Sequence, residues 1–218
     1  MLIRKEDNFV VDSSLPLVLA LNAGGEALRW ISYQDSAYYA SKGAVLWSTG
    51  TYSVLLRGGT NVLSGKQSTL NIDTIIALNS KVSPTKFRKA IPTLSNKQLF
   101  ARDRNLCAYC GLVYPSRQLT CDHILPKSHG GLYTWSNVVT ACRNCNQRKD
   151  DMTPEQARMK LLYVPYVPSY NETLILKNRR ILQDQMEFLL KGVSDKSRLH
   201  DMINAGEFID DEELIELD

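Results

Sequence analysis

Two Cys-x-x-Cys pairs, Cys107-Ala-Tyr-Cys110 and Cys142-Arg-Asn-Cys145, constrain this chain more than any other feature. Four thiolates so arranged supply a tetrahedral zinc site, which fastens two distant points of the chain to each other. Between the pairs lie about 31 residues, longer than the roughly 15 to 20 of a plain zinc ribbon. The insertion therefore needs a purpose. It holds Asp122-His123, Pro126, Gly130-Gly131 and Asn137, and Asn146 follows the last cysteine. A thiolate frame around an oxygen- and nitrogen-rich centre predicts two metal sites, one building the fold and one doing chemistry. Cys121 is the fifth and odd cysteine, which argues against a closed disulfide framework. In a reducing cytoplasm such pairs bind metal more often than they form disulfides. Cys121 itself is expected to be a buried strand residue.

The centre has a readable order. Gln118 to Cys121 alternates polar and apolar, as a strand does, and ends at Asp122-His123. Pro126 and Gly130-Gly131 force a loop, Val138 to Thr140 makes a second strand, and Arg143 to Lys149 has the length of a short helix. The result is a ββα unit. Asp122 at the strand end and Asn146 on the helix can share one hard cation through oxygen, as Mg²⁺ prefers. His123, neutral near pH 7, can take a proton from a water aimed at phosphorus. A lone histidine at a strand end is ordinarily a satisfied surface or core residue. A histidine beside an aspartate between two cysteine knuckles is not lone.

These pieces, Cys107-x-x-Cys110, Asp122-His123-Ile-x-Pro126, Gly130-Gly131, Asn137 and Cys142-x-x-Cys145-Asn146-x-x-Lys149, resemble the HNH endonuclease family. These are the ββα-metal nucleases, here in the form with zinc knuckles on either side. The spacing of His123, Asn137 and Asn146 is also similar to the HNH nuclease domain of RNA-guided CRISPR effectors. The resemblance covers about residues 95 to 162. It implies that His123 is the general base and that Asp122 ligates a catalytic Mg²⁺ or Mn²⁺. Asn137 would tie the loop to the strand and so aim His123. Asn146, where many relatives have a third histidine, would be the second metal ligand. Lys127, His129, Arg143, Arg148 and Lys149 would contact nucleic acid, with the lysines and Arg148 also suited to stabilising charge on the phosphate. The reaction implied is hydrolysis of double-stranded DNA to 5′ phosphate and 3′ hydroxyl ends, by nicking or double-strand cleavage. Two other readings stand beside it: a zinc-stapled nucleic-acid-binding module without turnover, and an RNA-directed nuclease.

Charge along the chain agrees with a polyanionic partner. From Lys81 to Lys160 there are about fourteen Lys and Arg against five Asp and Glu, whereas Asp201 to Asp218 holds eight acids and no base. The acidic tail could fold back over the basic segment, although solvation is its usual fate. No run of about twenty uncharged apolar residues suggests a membrane span, and a cytoplasmic location is expected.

The whole chain reads as α+β. Residues 1–80 are expected to form a small α+β domain. Its strands are placed at Leu17 to Leu21, Ala27 to Ile31, Ala44 to Trp47, Ser53 to Leu56 and Asp73 to Leu78, and Ser32 caps its helix. Trp30, Tyr38, Tyr39 and Trp47 read as core aromatics more readily than as base-stacking platforms. Residues 81–162 are expected to form the nuclease domain. It would be entered through a basic connector with Lys86, Arg88 and Lys89 and closed by a helix from Thr153 to about Leu162. Residues 163–218 read as a proline-containing strap, one amphipathic helix from Leu174 to about Lys191, and the tail. The stripe of that helix suits core packing, or a homodimer seam.

Overall fold

The computed structural model describes residues 3–4, 16–79, 91–178 and 180–200. The basic connector with Lys86, Arg88 and Lys89 and the acidic tail lie outside the described residues. Mutual contacts divide the chain into two units. Among the described residues, the first comprises those up to 79 with 177–192, and the second comprises 91–176 with 193–200.

The first unit is a five-stranded mixed sheet with one helix from its own segment and one from the C-terminal part. Its strands are β1 (Ile3–Arg4), β2 (Val18–Leu21), β3 (Ala27–Ile31), β4 (Val45–Thr60) and β5 (Gln67–Leu78), in the order β1-β4-β5-β2-β3. Only β2 and β5 run parallel. All four residues of β2 are buried, as a continuous apolar run predicts for a strand covered on both faces. Helix α1 (Tyr33–Ser41) begins at Ser32, whose Oγ accepts from the Asp35 amide at 3.0 Å. The core is Val18, Ala20, Ile31, Tyr33, Val54, Ile72, Ile76 and Leu78.

Two expectations change here. The separate strands at 44–47 and 53–56 are one bent strand, β4, with a register shift between Thr49 and Ser53. The bend centres on Gly50, at φ +133°, where a Cβ would meet Thr74 Oγ1 at 2.3 Å. Gly58-Gly59 does not end the strand, because the ladder to β5 runs on to Thr60. The single C-terminal helix is two, α4 (Tyr170–Lys177) and α5 (Gln183–Leu190). Between them Asn178 accepts from the Arg180 amide at 3.2 Å, a side-chain turn that competes with helix. The break lets α4 join the second unit and α5 the first. In the first unit Asp184 Oδ2 accepts from the Thr51 amide and Thr74 Oγ1, and Gln185 Nε2 donates to the Leu17 and Thr74 carbonyls. Leu182 and Leu189 are buried within this one chain, so these two residues of the apolar stripe pack into its own core.

The second unit contains α2 (Asn96–Arg102), the antiparallel pair β6 (Leu119–His123) and β7 (Val138–Cys142), and α3 (Arg143–Lys149). The ββα order is as expected. The helix expected at 153–162 is a single turn. Thr153 and Gln156 do cap it reciprocally, but Arg158 turns to φ +54° and the Met159 amide closes on the Pro154 carbonyl at 2.7 Å. The chain then runs back so that the Leu162 amide donates to the Ala108 carbonyl at 2.9 Å. Tertiary pairing overrides a sound local start signal.

A buried ion pair organises this unit. Arg102, 1% exposed, gives Nε and Nη2 to the two oxygens of Asp103 and its remaining N–H groups to the carbonyls of Trp135, Tyr166 and Val138. All five guanidinium donors are thereby used, which a buried charge requires. Asp103 Oδ2 also accepts from the Thr140 amide at 2.8 Å. One residue pair thus pins α2, the loop before β7, β7 itself and the strap at Tyr166.

Candidate functional site

The four cysteines of the two pairs converge, with their sulfur atoms all within 4.8 Å of one another. Local geometry explains how. Cys107 bonds across its own knuckle, its amide to the Leu112 carbonyl and its carbonyl to the Gly111 amide, both at 3.0 Å. Cys142 is the N-cap of α3, and its sulfur accepts from the Cys145 amide at 3.4 Å. Thiolate sulfurs about 2.3 Å from a shared zinc fit a cluster of this size, so Cys107, Cys110, Cys142 and Cys145 suit a structural zinc. Cys121 is outside the cluster. It sits half-buried on β6, where burial pushes its thiol up to about 11, so it is a neutral strand residue.

The end of β6 opens on a cleft of about 390 Å³ lined by Cys121, Asp122, His123, Pro126, Lys127, Ser128, Asn146, Lys149, Asp150 and Asp151. Asp122, His123 and Asn146, chosen from sequence, are therefore brought to one surface together with Lys127. Each is held differently. Asp122 is 4% exposed; its Oδ2 accepts from the Tyr109 hydroxyl and its Oδ1 from Lys149 Nζ at 3.0 Å. Asn146 donates Nδ2 to Thr120 Oγ1 at 2.9 Å, which leaves its amide oxygen for another partner. His123 is half-buried, its ring 5.8 Å from that of Tyr133, and its Nε2 is buried without a hydrogen-bond partner. Burial first, and then the positive charge of Lys127, hold the imidazole below its ordinary pKa of 6.5, so it is neutral at pH 7.

Asn137 does not line the cleft. It clasps the loop instead: Oδ1 accepts from the Leu125 amide at 3.0 Å, and Nδ2 donates to the Leu125 and Leu132 carbonyls at 3.1 and 2.9 Å. The loop approaches itself closely at Gly131, where a Cβ would lie 1.7 Å from the Leu125 oxygen, so only glycine fits. The short turn Lys127–His129 begins after Pro126 in this clasped segment.

The basic residues separate into two groups. Lys127, His129, Arg143 and Arg148 are exposed; Lys127 lies in the cleft, and Arg143 donates to the Arg117 carbonyl at 3.0 Å. Lys149, expected at phosphate, is instead fully buried as the partner of Asp122. A buried lysine here neutralises a buried carboxylate, which neither group could sustain alone.

Sequence reasoning did not single out Tyr109, Thr120, Tyr133, Asp150 or Asp151. Tyr109 stood between two knuckle cysteines, where a side chain is free to point anywhere, and its acceptor is thirteen residues away. Asp150, at φ +52° where α3 ends, had the only available signal, an acidic pair directly after the motif.

Residues 107–162 match the family model described as HNH endonuclease. The match spans both knuckles, the Asp-His strand end, the loop and α3. Among curated proteins none matches the chain.

Proposed function

We propose that this protein is a metal-dependent HNH endonuclease that hydrolyses phosphodiester bonds of double-stranded DNA, with His123 as the general base. The observation that carries the reading is the shared cleft, where a neutral histidine, a carboxylate, an amide oxygen and a free lysine meet inside the segment that matches the nuclease family. The donor set fits a hard divalent cation. Asp122 and Asn146 offer oxygen, and each Asp122 oxygen keeps lone-pair capacity beside the bond it already accepts. Mg²⁺ or Mn²⁺ bound there supplies positive charge to the phosphate and to the leaving 3′ oxygen.

The chain's own groups divide the remaining work. With Nε2 buried, Nδ1 of His123 is the nitrogen that takes the proton from the attacking water. Asn137, by holding both sides of the 124–132 loop, fixes the strand end from which His123 projects. Lys127 contacts the phosphate in the cleft, and the exposed His129, Arg143 and Arg148 bind backbone further along the duplex. Lys149 keeps Asp122 oriented, a positioning role in place of the direct phosphate contact that the resemblance implies. In this reading the nuclease domain runs from residue 81 to 162.

The test is incubation of supercoiled plasmid with the purified protein and Mg²⁺ or Mn²⁺, alongside His123→Ala. The variant is expected to cut about 10²- to 10⁴-fold more slowly. Intact plasmid with wild type in every metal, or equal cutting by the variant, overturns the proposal. Tight, salt-dependent DNA binding without cleavage would point to a binding module instead, and cleavage confined to RNA would move the substrate.

A further inference from the structure

Asp122 and the thiol cluster are joined through one side chain. Tyr109 sits between Cys107 and Cys110 and donates its hydroxyl to Asp122 Oδ2. We propose that Tyr109 is a positioning residue through which the zinc knuckle sets the orientation of the Asp122 carboxylate, and with it the affinity of the cleft for a divalent cation. The inference rests on the reading of Asp122 as a metal ligand given above.

Three observations carry it. Asp122 is buried, so its orientation is decided by its few partners, and its two side-chain partners each take a different carboxylate oxygen. Lys149 reaches Oδ1 on a long stem from α3, whereas Tyr109 presents a rigid ring from the knuckle. The backbone that carries Tyr109 is itself fixed. The Ala108 amide donates to the Thr140 carbonyl at 2.8 Å on β7, the strand whose Val139 pairs with Asp122. The phenol and its acceptor are thus mounted on one short, braced path. A single hydroxyl on one carboxylate oxygen fixes which oxygen turns to the cleft, the kind of outer contact that orients metal-binding carboxylates.

The plainer account is that Tyr109 fills space near Cys107 and Ala141 and that its hydroxyl merely finds a partner, as buried tyrosines do. The two differ in what the hydroxyl alone controls. Tyr109→Phe keeps the ring and removes the hydroxyl. Mn²⁺ binding to the full-length, zinc-loaded protein, followed by electron paramagnetic resonance without DNA, reads the effect without relying on turnover. The expected result is Mn²⁺ binding weaker by roughly 10- to 100-fold, with one zinc per chain and an unchanged melting curve. Plasmid cleavage by the variant should then need correspondingly more Mn²⁺, with its rate at saturating metal much less affected. Mn²⁺ binding equal to wild type overturns the inference alone. So does loss of zinc from Tyr109→Phe, since the hydroxyl would then serve the knuckle rather than Asp122. Wild type that neither binds Mn²⁺ nor cuts overturns the assignment of Asp122 itself.

Discussion

The two units solve the problem of cohesion by different means. In the first, five strands bury a contiguous set of aliphatic side chains from β2, β4 and β5, and apolar area holds the sheet together. In the second, the only sheet among the described residues has two strands, and a two-stranded sheet is marginal by itself. Its apolar clusters are small, one around Leu99, Phe100, Leu119, Trp135 and Val138 and another around Cys107, Ala141 and Cys142. Cohesion there comes from bonds of fixed direction: the thiol cluster, the five donors of Arg102, the loop clasp of Asn137, and the Trp135 indole on the Pro92 carbonyl at 2.7 Å. Apolar burial tolerates small displacements, whereas directed bonds do not. The unit whose cleft is lined by His123, Asp122 and Asn146 is the one built from directed bonds.

This contrast can be broken most decisively at the thiols. Cys142→Ser, or chelation of zinc, should unfold the second unit while the first keeps its sheet, because structural zinc contributes on the order of 10–16 kcal/mol to small domains. Limited proteolysis mapped by mass spectrometry checks this. Even digestion of both units would show that they share one cooperative core.

A matched pair of variants sharpens the same point at smaller scale. Arg102→Met should cost about 3–5 kcal/mol, because Asp103 stays buried without its partner. Leu78→Ala should cost about 2–5 kcal/mol by leaving a cavity in the first core. The totals are similar, so the discriminating measurement is where amide exchange quickens. Arg102→Met is expected to loosen residues near 135–140 and 166, and Leu78→Ala to loosen β2 and β5. Identical exchange maps would erase the distinction between the units.

The smallest effect concerns pH. If neutral His123 is the base, cleavage should rise as pH climbs through a pKa below 6.5 and then level off. Protonation opposes the burial and the Lys127 charge that hold that pKa down, so activity is lost on the acid side only. Lys127→Ala removes one of these causes and should move the acid limb toward 6.5 by less than about one pH unit. A limb that stays fixed would mean that Lys127 does not act on His123.

Much of the second unit was legible because its signals are short-range. The alternation before Asp122, the breakers at Pro126 and Gly130-Gly131 and the helix-length run after Cys142 each specify an element within a few residues, and β6, β7 and α3 follow them. The bend in β4 was not legible, since Gly50 and its neighbours Thr74 and Asp184 meet only after the sheet has formed. Arg102 was unreadable for the same reason: its acceptors at 135, 138 and 166 leave no local trace. Asn137 was legible through the motif as a loop-holding residue, whereas the burial of Lys149 was not, because exposure depends on what packs over α3.

The threading of the chain through its two units sets an order of events during synthesis. Helix α5 completes the first unit, yet it is made after α4 of the second, and Ser197 and Leu199 of the second unit come later still. Domains usually fold as they leave the ribosome, N-terminal first. Here the first unit lacks a packing partner until α5 has been made, and the second until Ser197 and Leu199 have followed. A ribosome stalled before residue 183 therefore carries a first sheet still lacking α5, although every residue that lines the cleft, from Cys121 to Asp151, has already been made.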